Sequence, residues 1–187
     1  MRVIAGSARR LQLVTPKGMD TRPTADKIKE TLFNILAPDI YGVDFLDLFS
    51  GSGGIGIEAL SRGANSATFV EKDKKAIECI KKNLQTTGFT EVSSVYPYDV
   101  LSTLYNLHPA KPYDIVFMDP PFYNNLEKQV LNILRNLDII NEDTMIIIEA
   151  GKDTDFSYVE SMGFQINRIK KYKNNMHVFI TKSEKGE

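Results

Sequence analysis

Short apolar runs alternate with helical patterns along most of this chain, from about residue 43 onward. A strand, a helix and a further strand in succession give parallel strands, with helices packed on both faces of the sheet. The alternation therefore predicts an α/β fold with a doubly wound, mostly parallel, seven-stranded sheet. The predicted strands are Val43–Leu48, Ser66–Glu71, Glu91–Tyr96, Tyr113–Met118, Thr144–Glu149, Phe164–Ile169 and Met176–Thr181, and the predicted helices are Gly54–Arg62, Lys74–Gln85, Val100–Leu107, Leu126–Leu137 and Phe156–Ser161. Residues 170–175 are too few for a crossover helix, so the last two strands are predicted to form an antiparallel hairpin.

The residues before this series are predicted to form a small extension of the same domain. Two β-like segments, Val3–Gly6 and Leu11–Val14, precede a helix that has Thr24 as its N-cap and ends at Pro38. We expect one domain over residues 1–187, with an extension at 1–38 and a catalytic core at 39–187. Residues 1–38 hold seven basic and three acidic residues, whereas the whole chain has a net charge of −1. The extension is therefore the candidate for contacting phosphates.

The composition limits the class of protein. The chain has 187 residues, of which 42% are hydrophobic and 25% charged, enough for one well-buried core. No apolar run approaches the roughly 20 residues of a membrane helix, and the N-terminus lacks the apolar region of a signal peptide. The single cysteine, Cys79, cannot form an internal disulfide, which fits a reducing cytoplasm. His108 and His177 have no partners at ligand spacing, so we expect no metal site.

A glycine-rich loop follows the first predicted strand. Residues 47–56 read Asp-Leu-Phe-Ser-Gly-Ser-Gly-Gly-Ile-Gly, which contains the pattern G-x-G-x-x-G between a strand and a helix. Glu71 lies twenty residues after Gly51, at the end of the second strand, where an acid can bind two ribose hydroxyls. This pattern is compatible with a dinucleotide or with S-adenosylmethionine.

The charges at the strand ends favour the second cofactor. A doubly wound sheet binds its ligand at the carboxyl ends of its strands. Four acids lie there: Asp47, Glu71, Asp99 and Asp119. A dinucleotide brings a doubly negative pyrophosphate, whereas S-adenosylmethionine has a net positive charge, so the acids favour S-adenosylmethionine. Each acid also has a structural interpretation: Asp47 could brace the loop, Glu71 could pair with a neighbouring lysine, and Asp99 could cap the next helix.

A second motif follows the fourth predicted strand. There Asp119-Pro120-Pro121-Phe122 ends an apolar run. Two prolines give a stiff turn without N–H donors, so nearby carbonyls are free to accept hydrogen bonds. Asp119 and the Pro120 carbonyl could accept both hydrogens of a planar amine while Phe122 stacks on its ring, which is catalysis by orientation. A proline-terminated strand with an ordinary surface turn is the alternative.

These motifs together resemble the bacterial 16S ribosomal RNA guanine-N2 methyltransferases of the RsmD type. The resemblance covers essentially the whole chain and rests on residues 2–6 (Arg-Val-Ile-Ala-Gly), 21–24 (Thr-Arg-Pro-Thr), 30–36, 45–53 and 119–122. It implies a Rossmann-like class I methyltransferase fold that uses S-adenosylmethionine. It also implies that a guanine flipped out of ribosomal RNA is received at Asp119–Phe122.

The expected site residues follow from the motifs and from this resemblance. The expected catalytic residues are Asp119, Pro120, Pro121 and Phe122. The expected cofactor-binding residues are Asp47, Phe49, Gly51, Ser52, Gly53, Gly56, Glu71, Lys72, Asp99, Val100 and Asp119. The expected RNA-binding residues are Arg9, Arg10, Arg22 and Thr24. Many proteins of this type are more basic, whereas this chain is nearly neutral, so we expect 16S ribosomal RNA within a partly assembled small subunit as the substrate. We also expect a monomeric enzyme and a cytoplasmic location.

The choice of acceptor stays open at this point. An ionised aspartate only accepts hydrogen bonds, which suits the adjacent N1–H and N2–H donors of guanine, whereas adenine has an acceptor beside its amine. This favours guanine as the acceptor. Methylation of adenine N6 or of a glutamine side chain remains an alternative, and an NAD-dependent oxidoreductase is a more distant one. A catalytically silent RNA-binding module is a third possibility, which the four acids argue against.

Overall fold

A computed structural model describes residues 1–16, 23–121 and 125–183 of the chain. The helices are α1 (Pro23–Leu36), α2 (Gly54–Ser61), α3 (Lys74–Thr87), α4 (Val100–Leu104) and α5 (Leu126–Leu134), and the strands are β1 (Asp44–Leu48), β2 (Ser66–Val70), β3 (Ser93–Tyr96), β4 (Ile115–Met118), β5 (Met145–Gly151), β6 (Phe164–Lys171) and β7 (Asn175–Lys182). The strands form one sheet in the order β3-β2-β1-β4-β5-β7-β6.

The pairing of the strands confirms the predicted fold class. Strands β1 to β5 pair in parallel with one another. Strand β7 lies antiparallel between β5 and β6, so β6 and β7 form the predicted hairpin. All four residues of β4 are buried, as expected for a central strand with both faces covered. The chain is therefore a doubly wound α/β protein with an antiparallel C-terminal hairpin.

Several predicted element boundaries are wrong. The helix predicted over Phe156–Ser161 is absent, and only a 3-10 turn at Glu160–Met162 lies there. The helix predicted to reach Leu107 ends at Leu104, after which the chain continues with i to i+3 hydrogen bonds. Strand β3 starts two residues late because Thr90–Val92 form a 3-10 turn.

The N-cap predicted at Thr24 is also wrong. Helix α1 begins at Pro23, so Thr24 is already inside the helix. Proline suits the first helical position, because its missing N–H would have no partner within the helix there. The two β-like segments pair with each other through an antiparallel bridge between Arg2 and Gln12 and do not join the main sheet. Backbone hydrogen bonds from Val3 to Leu11 (3.0 Å) and from Leu13 to Met1 (2.9 Å) flank this bridge.

Each face of the sheet carries its own hydrophobic cluster. Leu46, Leu48 and Met118 belong to the cluster beneath α4 and α5. Phe45 and Phe117 belong to the other cluster, which includes buried residues of α1, α2, α3 and the N-terminal extension. Because side chains alternate along a strand, Asp47 and Asp119 lie on this second face. The extension therefore covers the face of the sheet that carries the predicted site.

A buried carboxylate fastens the extension to the core. Glu58 of α2 is 0% exposed, and its oxygens accept hydrogen bonds from the backbone N–H groups of Ile4 (2.8 Å) and Ala5 (3.0 Å). It also pairs with Lys29 of α1 at 3.3 Å and with Arg62 at 2.9 Å. Burial lowers the pKa of Lys29, while the charge of Glu58 opposes that shift. One carboxylate thus connects three segments of the chain.

The glycine at the end of the N-terminal Arg-Val-Ile-Ala-Gly motif permits this docking. Gly6 has φ +83°, and a Cβ atom there would lie 1.7 Å from the backbone oxygen of Ser61. The hydroxyl of Ser61 in turn donates to the Ala5 carbonyl at 2.6 Å and accepts from the N–H of Ala8 at 3.0 Å. A side chain at Gly6 would therefore push the extension away from α2.

Candidate active site

The loop between β1 and α2 is held in one conformation from several sides. Phe49, Gly51 and Gly53 all have positive φ angles, 59°, 54° and 79° respectively. The Ser50 hydroxyl donates to the Asp47 carbonyl at 2.6 Å and accepts from the N–H of Val70 at 3.0 Å. A set of strained backbone angles persists only where its surroundings fix it, and here both neighbouring strands do so.

Asp47 lies beneath this loop as a structural brace. Its side chain is 1% exposed, and Oδ2 accepts the N–H of Gly56 at 2.9 Å. Burial raises the pKa of Asp47 to about 7; the hydrogen bond from Gly56 opposes the shift and the charge of Glu71 adds to it. The interpretation of Asp47 as a loop brace is therefore confirmed. Asp47 also lines a cavity that opens beside this loop.

The second and third glycines of the G-x-G-x-x-G motif allow a phenylalanine ring to pack closely against the loop. A Cβ atom on Gly56 would lie 2.4 Å from the ring of Phe69, and one on Gly53 would lie 3.3 Å from the same ring. Gly51 is different, because a Cβ atom there would meet nothing within 4 Å. It lines the cavity together with Ser52, so a ligand can approach the backbone at this point.

Glu71 turns its carboxylate towards backbone N–H groups. Oε2 accepts from Gly51 at 2.8 Å, and Oε1 accepts from Lys72 at 2.8 Å and from Asp73 at 2.9 Å. Lys72 pairs instead with Asp99, at 3.3 Å between two exposed side chains. Asp99 also caps α4 by accepting the N–H of Leu101 at 3.0 Å, so its interpretation as a helix cap is confirmed.

A cavity of about 1160 Å³ opens at the carboxyl ends of β1, β4 and β5. The predicted residues that line it are Asp47, Phe49, Gly51, Ser52 and Asp119. The predicted residues that do not line it are Gly53, Gly56, Glu71, Lys72, Asp99, Val100, Pro120 and Pro121. Val100 is buried at the start of α4, behind the Asp99 cap. Phe122 lies outside the described residues.

Asp119 lies on the floor of this cavity, directly after β4. Its side chain is in contact with solvent in the cavity, but protein atoms around it remove part of its hydration. This partial desolvation is the main cause of the raised pKa of Asp119, and the negative charges of Glu149 and Asp47 raise it further. Three carboxylates therefore share the cavity floor, which is an arrangement that favours a cation.

Strand β5 and the C-terminal hairpin contribute cavity residues that the sequence motifs did not indicate. Glu149, Tyr172, Asn175 and His177 all line the cavity. Glu149 accepts a hydrogen bond from Asn175 and lies 3.1 Å from Nε2 of His177. Glu149 ends the fifth predicted strand, so it has the same sequence signal as the four acids predicted at the ends of strands.

Helix α1 and the extension also contribute cavity residues. Lys27, Glu30 and Thr31 of α1 line the cavity, together with Thr15 and Pro16. The predicted RNA-binding residues lie elsewhere: Arg9 and Arg10 are exposed in the turn of the extension and do not line the cavity. Thr24 belongs to α1, and Arg22 lies outside the described residues.

The positive charge of the extension is smaller than its composition suggests. Arg2 pairs with Asp26 at 3.4 Å, and Lys29 is buried against Glu58. Arg9, Arg10 and Lys27 are the exposed cations that remain in the described part of the extension.

Within residues 1–16, 23–121 and 125–183, no group of three or more His, Cys, Asp or Glu side chains could hold a metal ion. The same residues include no helix long and apolar enough to cross a membrane.

The sheet order, the loop after β1 and the acid-lined cavity define a methyltransferase of the class I fold. Residues 1–181 match the family model described as Conserved hypothetical protein 95. The chain therefore belongs to this family, the RsmD family of ribosomal RNA methyltransferases. The resemblance stated from the motifs is confirmed.

Individual relatives agree with this assignment. Ribosomal RNA small subunit methyltransferase D of Haemophilus influenzae is 40% identical over 156 residues, which are 82% of this chain and 80% of that protein. The solved structure of yhhF from Escherichia coli matches with a TM-score of 0.83 and 32% identity, over 98% of both chains. A more distant methyltransferase structure, SMU.776 complexed with SAH, has a TM-score of 0.65 at 18% identity, covers 82% of this chain and 49% of that one, and shows the shared fold alone.

Proposed function

We propose that this protein methylates the exocyclic N2 amine of a guanine in small-subunit ribosomal RNA and uses S-adenosylmethionine as methyl donor. The observation that carries the proposal is the cavity floor, where Asp47, Asp119 and Glu149 lie together beside the open backbone of Gly51. Clustered carboxylates favour a positively charged donor over a pyrophosphate nucleotide. The relative in Haemophilus influenzae, named as a small-subunit ribosomal RNA methyltransferase, supports the RNA substrate.

The residues present fit this donor. Gly51 leaves open space above the backbone at the edge of the cavity, where a side chain would otherwise stand. Oε2 of Glu71 accepts one hydrogen bond from Gly51 and can accept another, which suits a ribose hydroxyl. Lys72 and Asp99 form an exposed ion pair next to Glu71, and we assign them, with the adjacent Val100, to the adenosine part of the donor. When bound, S-adenosylmethionine supplies the methyl group as a sulfonium electrophile.

The chain's own contribution to the reaction is orientation. The lone pair of the guanine amine is delocalised into the ring, so the amine must be held for attack. In our proposal Asp119 and the Pro120 carbonyl accept the two N2 hydrogens, and Phe122 stacks on the base. With the amine held in this way, its lone pair would form the bond to the methyl carbon of the donor while the bond from that carbon to sulfur breaks, and the surplus proton would pass from the nitrogen to solvent water.

The test is methyl transfer with labelled donor to small-subunit RNA and to partly assembled subunits, with Asp119→Asn and Asp119→Ala as variants. We expect both variants to bind the donor and to lose at least about 100-fold in turnover, since an orienting hydrogen-bond acceptor contributes on this scale. Asp138→Asn, an exposed aspartate between α5 and β5, is the matched control. Wild-type turnover in both Asp119 variants would remove this residue from the mechanism. Mass spectrometry of the product identifies the methylated atom and separates guanine N2 from adenine N6.

We also propose that the exposed arginines of the extension, Arg9 and Arg10, contact the RNA backbone around the flipped nucleotide, together with Arg22 and with Thr24 of α1. Each phosphate contact adds to the salt dependence of binding. Reversing Arg9 and Arg10 to glutamate should weaken RNA association and flatten its dependence on salt, whereas reversing the exposed Lys81 and Lys82 of α3 should not. An unchanged salt slope in the arginine variant would refute the assignment. A ribosomal substrate also implies a cytoplasmic enzyme, and we propose that it acts as a monomer.

A further inference from the structure

The row of acids on the cavity floor extends one strand beyond Asp119. Strands β4 and β5 pair in parallel with Phe117 beside Ile147 and Met118 beside Ile148. The next residues along both strands are Asp119 and Glu149, so the register brings these two carboxylates to the same level of the sheet. Both line the cavity, and the charge of Glu149 is one cause of the raised pKa of Asp119.

Glu149 is held in position by the hairpin. Its Oε1 accepts from the side-chain amide of Asn175, and its Oε2 lies 3.1 Å from Nε2 of His177. His177 is 1% exposed, and its Nδ1 lies 3.1 Å from the hydroxyl of Tyr172. The imidazole also meets the ring of Phe117 edge to face, with 6.1 Å between centroids. A buried imidazole packed and hydrogen-bonded on both sides fixes the carboxylate that it touches.

The carboxylate nevertheless keeps capacity for a ligand. Its side chain is 19% exposed. Each carboxylate oxygen can accept two hydrogen bonds, so the contacts with Asn175 and His177 do not exhaust Glu149. Glu149 can therefore accept a further hydrogen bond from a group that enters the cavity beside Asp119.

A guanine offers donors that match two neighbouring carboxylates. Its N1–H lies directly beside its N2 amine, whereas adenine places an acceptor lone pair beside its own amine. We propose that Glu149 determines specificity for guanine by accepting the N1–H of the base whose N2 amine Asp119 holds, with His177 as its positioning residue. This inference rests on the proposed function and deepens it. An adenine in the same position would turn the N1 lone pair towards a fixed negative charge.

The sharpest test replaces the target guanine by 2-aminopurine, which keeps the 2-amine but has a bare N1 acceptor. The target nucleotide is the one identified by mass spectrometry, and the substrate is a small-subunit RNA or subunit that carries either base there. For the wild-type protein we expect kcat/KM to be about 10- to 100-fold lower for 2-aminopurine than for guanine, since a hydrogen bond to a charged group contributes on this scale.

The variant Glu149→Gln should change this ratio. Its amide lacks the charge that strengthens the contact with N1–H, but it can donate to the bare N1 of 2-aminopurine. We expect kcat/KM for guanine to fall about 10-fold or more and the preference for guanine over 2-aminopurine to approach one. Glu142→Gln, at an exposed glutamate just before β5, is the matched control and should leave the preference unchanged.

A purely structural role predicts a different result. If Glu149→Gln lowers kcat/KM by the same factor for both bases, or leaves the wild-type preference intact, the inference is overturned. Should Glu149→Gln fail to fold by circular dichroism, His177→Gln tests the same point, since it keeps a donor towards Glu149 but loosens its position. That variant should reduce the preference for guanine, mainly through KM, while the binding of S-adenosylmethionine measured by calorimetry stays at the wild-type level. A wild-type protein that methylates no small-subunit guanine would instead refute the proposed function itself.

Discussion

The substitution Glu58→Gln tests how the N-terminal extension is attached to the catalytic core. Glutamine has the shape of glutamate but lacks its charge, and it presents an amide where the carboxylate accepts hydrogen bonds. Four donors converge on Glu58: two backbone N–H groups of the extension and the cations of Lys29 and Arg62. Both cations are largely buried, at 5% and 13% side-chain exposure. In the variant, neither buried cation would have the Glu58 carboxylate as its counter-ion.

Removing one partner of a buried ion pair typically costs about 3–5 kcal/mol of unfolding free energy. Two features place Glu58→Gln near the lower end of that range. Lys29 also donates to the Arg2 carbonyl at 2.7 Å, and its pKa is already lowered by burial, so it can lose its proton when the carboxylate is gone. For a chain of this length, about 3 kcal/mol corresponds to a melting temperature lower by ~6–12 °C.

Two measurements check this prediction. Chemical denaturation followed by far-ultraviolet circular dichroism gives the unfolding free energy, since the chain has no tryptophan for fluorescence. Hydrogen exchange should show lost protection at the amides of Ile4 and Ala5, while the central strands stay protected. Glu78→Gln, at an exposed glutamate of α3, is the control and should change stability by less than about 0.5 kcal/mol. A Glu58→Gln protein as stable as this control would show that the carboxylate does not hold the extension.

Two further predictions concern backbone fit and buried charge. Gly6→Ala should destabilise the protein by at least about 3 kcal/mol in denaturation, because a Cβ atom would collide with the backbone of α2; Gly42→Ala, where φ is +77° but the space is open, should cost only about 1–2 kcal/mol. Because burial raises the pKa of Asp47 to about 7, from about 4 in the unfolded chain, the folded protein binds more protons between those values, and its stability should fall as pH rises from 4 to 7. Between pH 4 and 7, the unfolding free energy of Asp47→Asn should fall by as much as about 3–4 kcal/mol less than that of the wild type. An equal pH dependence in the two proteins would contradict the raised pKa of Asp47.

The fold was predictable from the sequence because its signals are local. The apolar run at 115–118 is short and ends at Asp119 and two prolines, so it could be assigned as a central strand without any tertiary information, and the structure shows it fully buried. Helix α3 has both of its termini encoded nearby, with Asp73 accepting the N–H of Ala76 at 2.9 Å and Gly88 in the left-handed conformation with φ 76°. The helix predicted over Phe156–Ser161 lacked signals of this kind and is wrong.

The contact of Glu149 with the C-terminal hairpin was not predictable in the same way. Glu149 and His177 are 28 residues apart, and only the antiparallel pairing of β5 with β7 places them side by side. The same limit applies to the charge of the extension. Lys29 counts as a free cation in the sequence, but it lies buried against Glu58 of α2. Composition gives the number of charges in a segment, whereas only the tertiary contacts show which of them are available to a phosphate.

The acid cluster accounts for the preference of the cavity for a cationic ligand. Asp47, Asp119 and Glu149 line the cavity floor, and loss of hydration raises the pKa of the first two above the usual range. Repulsion by Glu71 adds to the shift of Asp47, and repulsion by Glu149 and Asp47 adds to that of Asp119. A ligand with a negative charge would increase that repulsion, whereas a sulfonium would offset it and return the pKa values towards normal. An ionised Asp119 accepts hydrogen bonds and a protonated one also donates, so a cationic donor converts Asp119 into the form that suits an amine. The same three carboxylates therefore select the proposed methyl donor and prepare the grip on the acceptor.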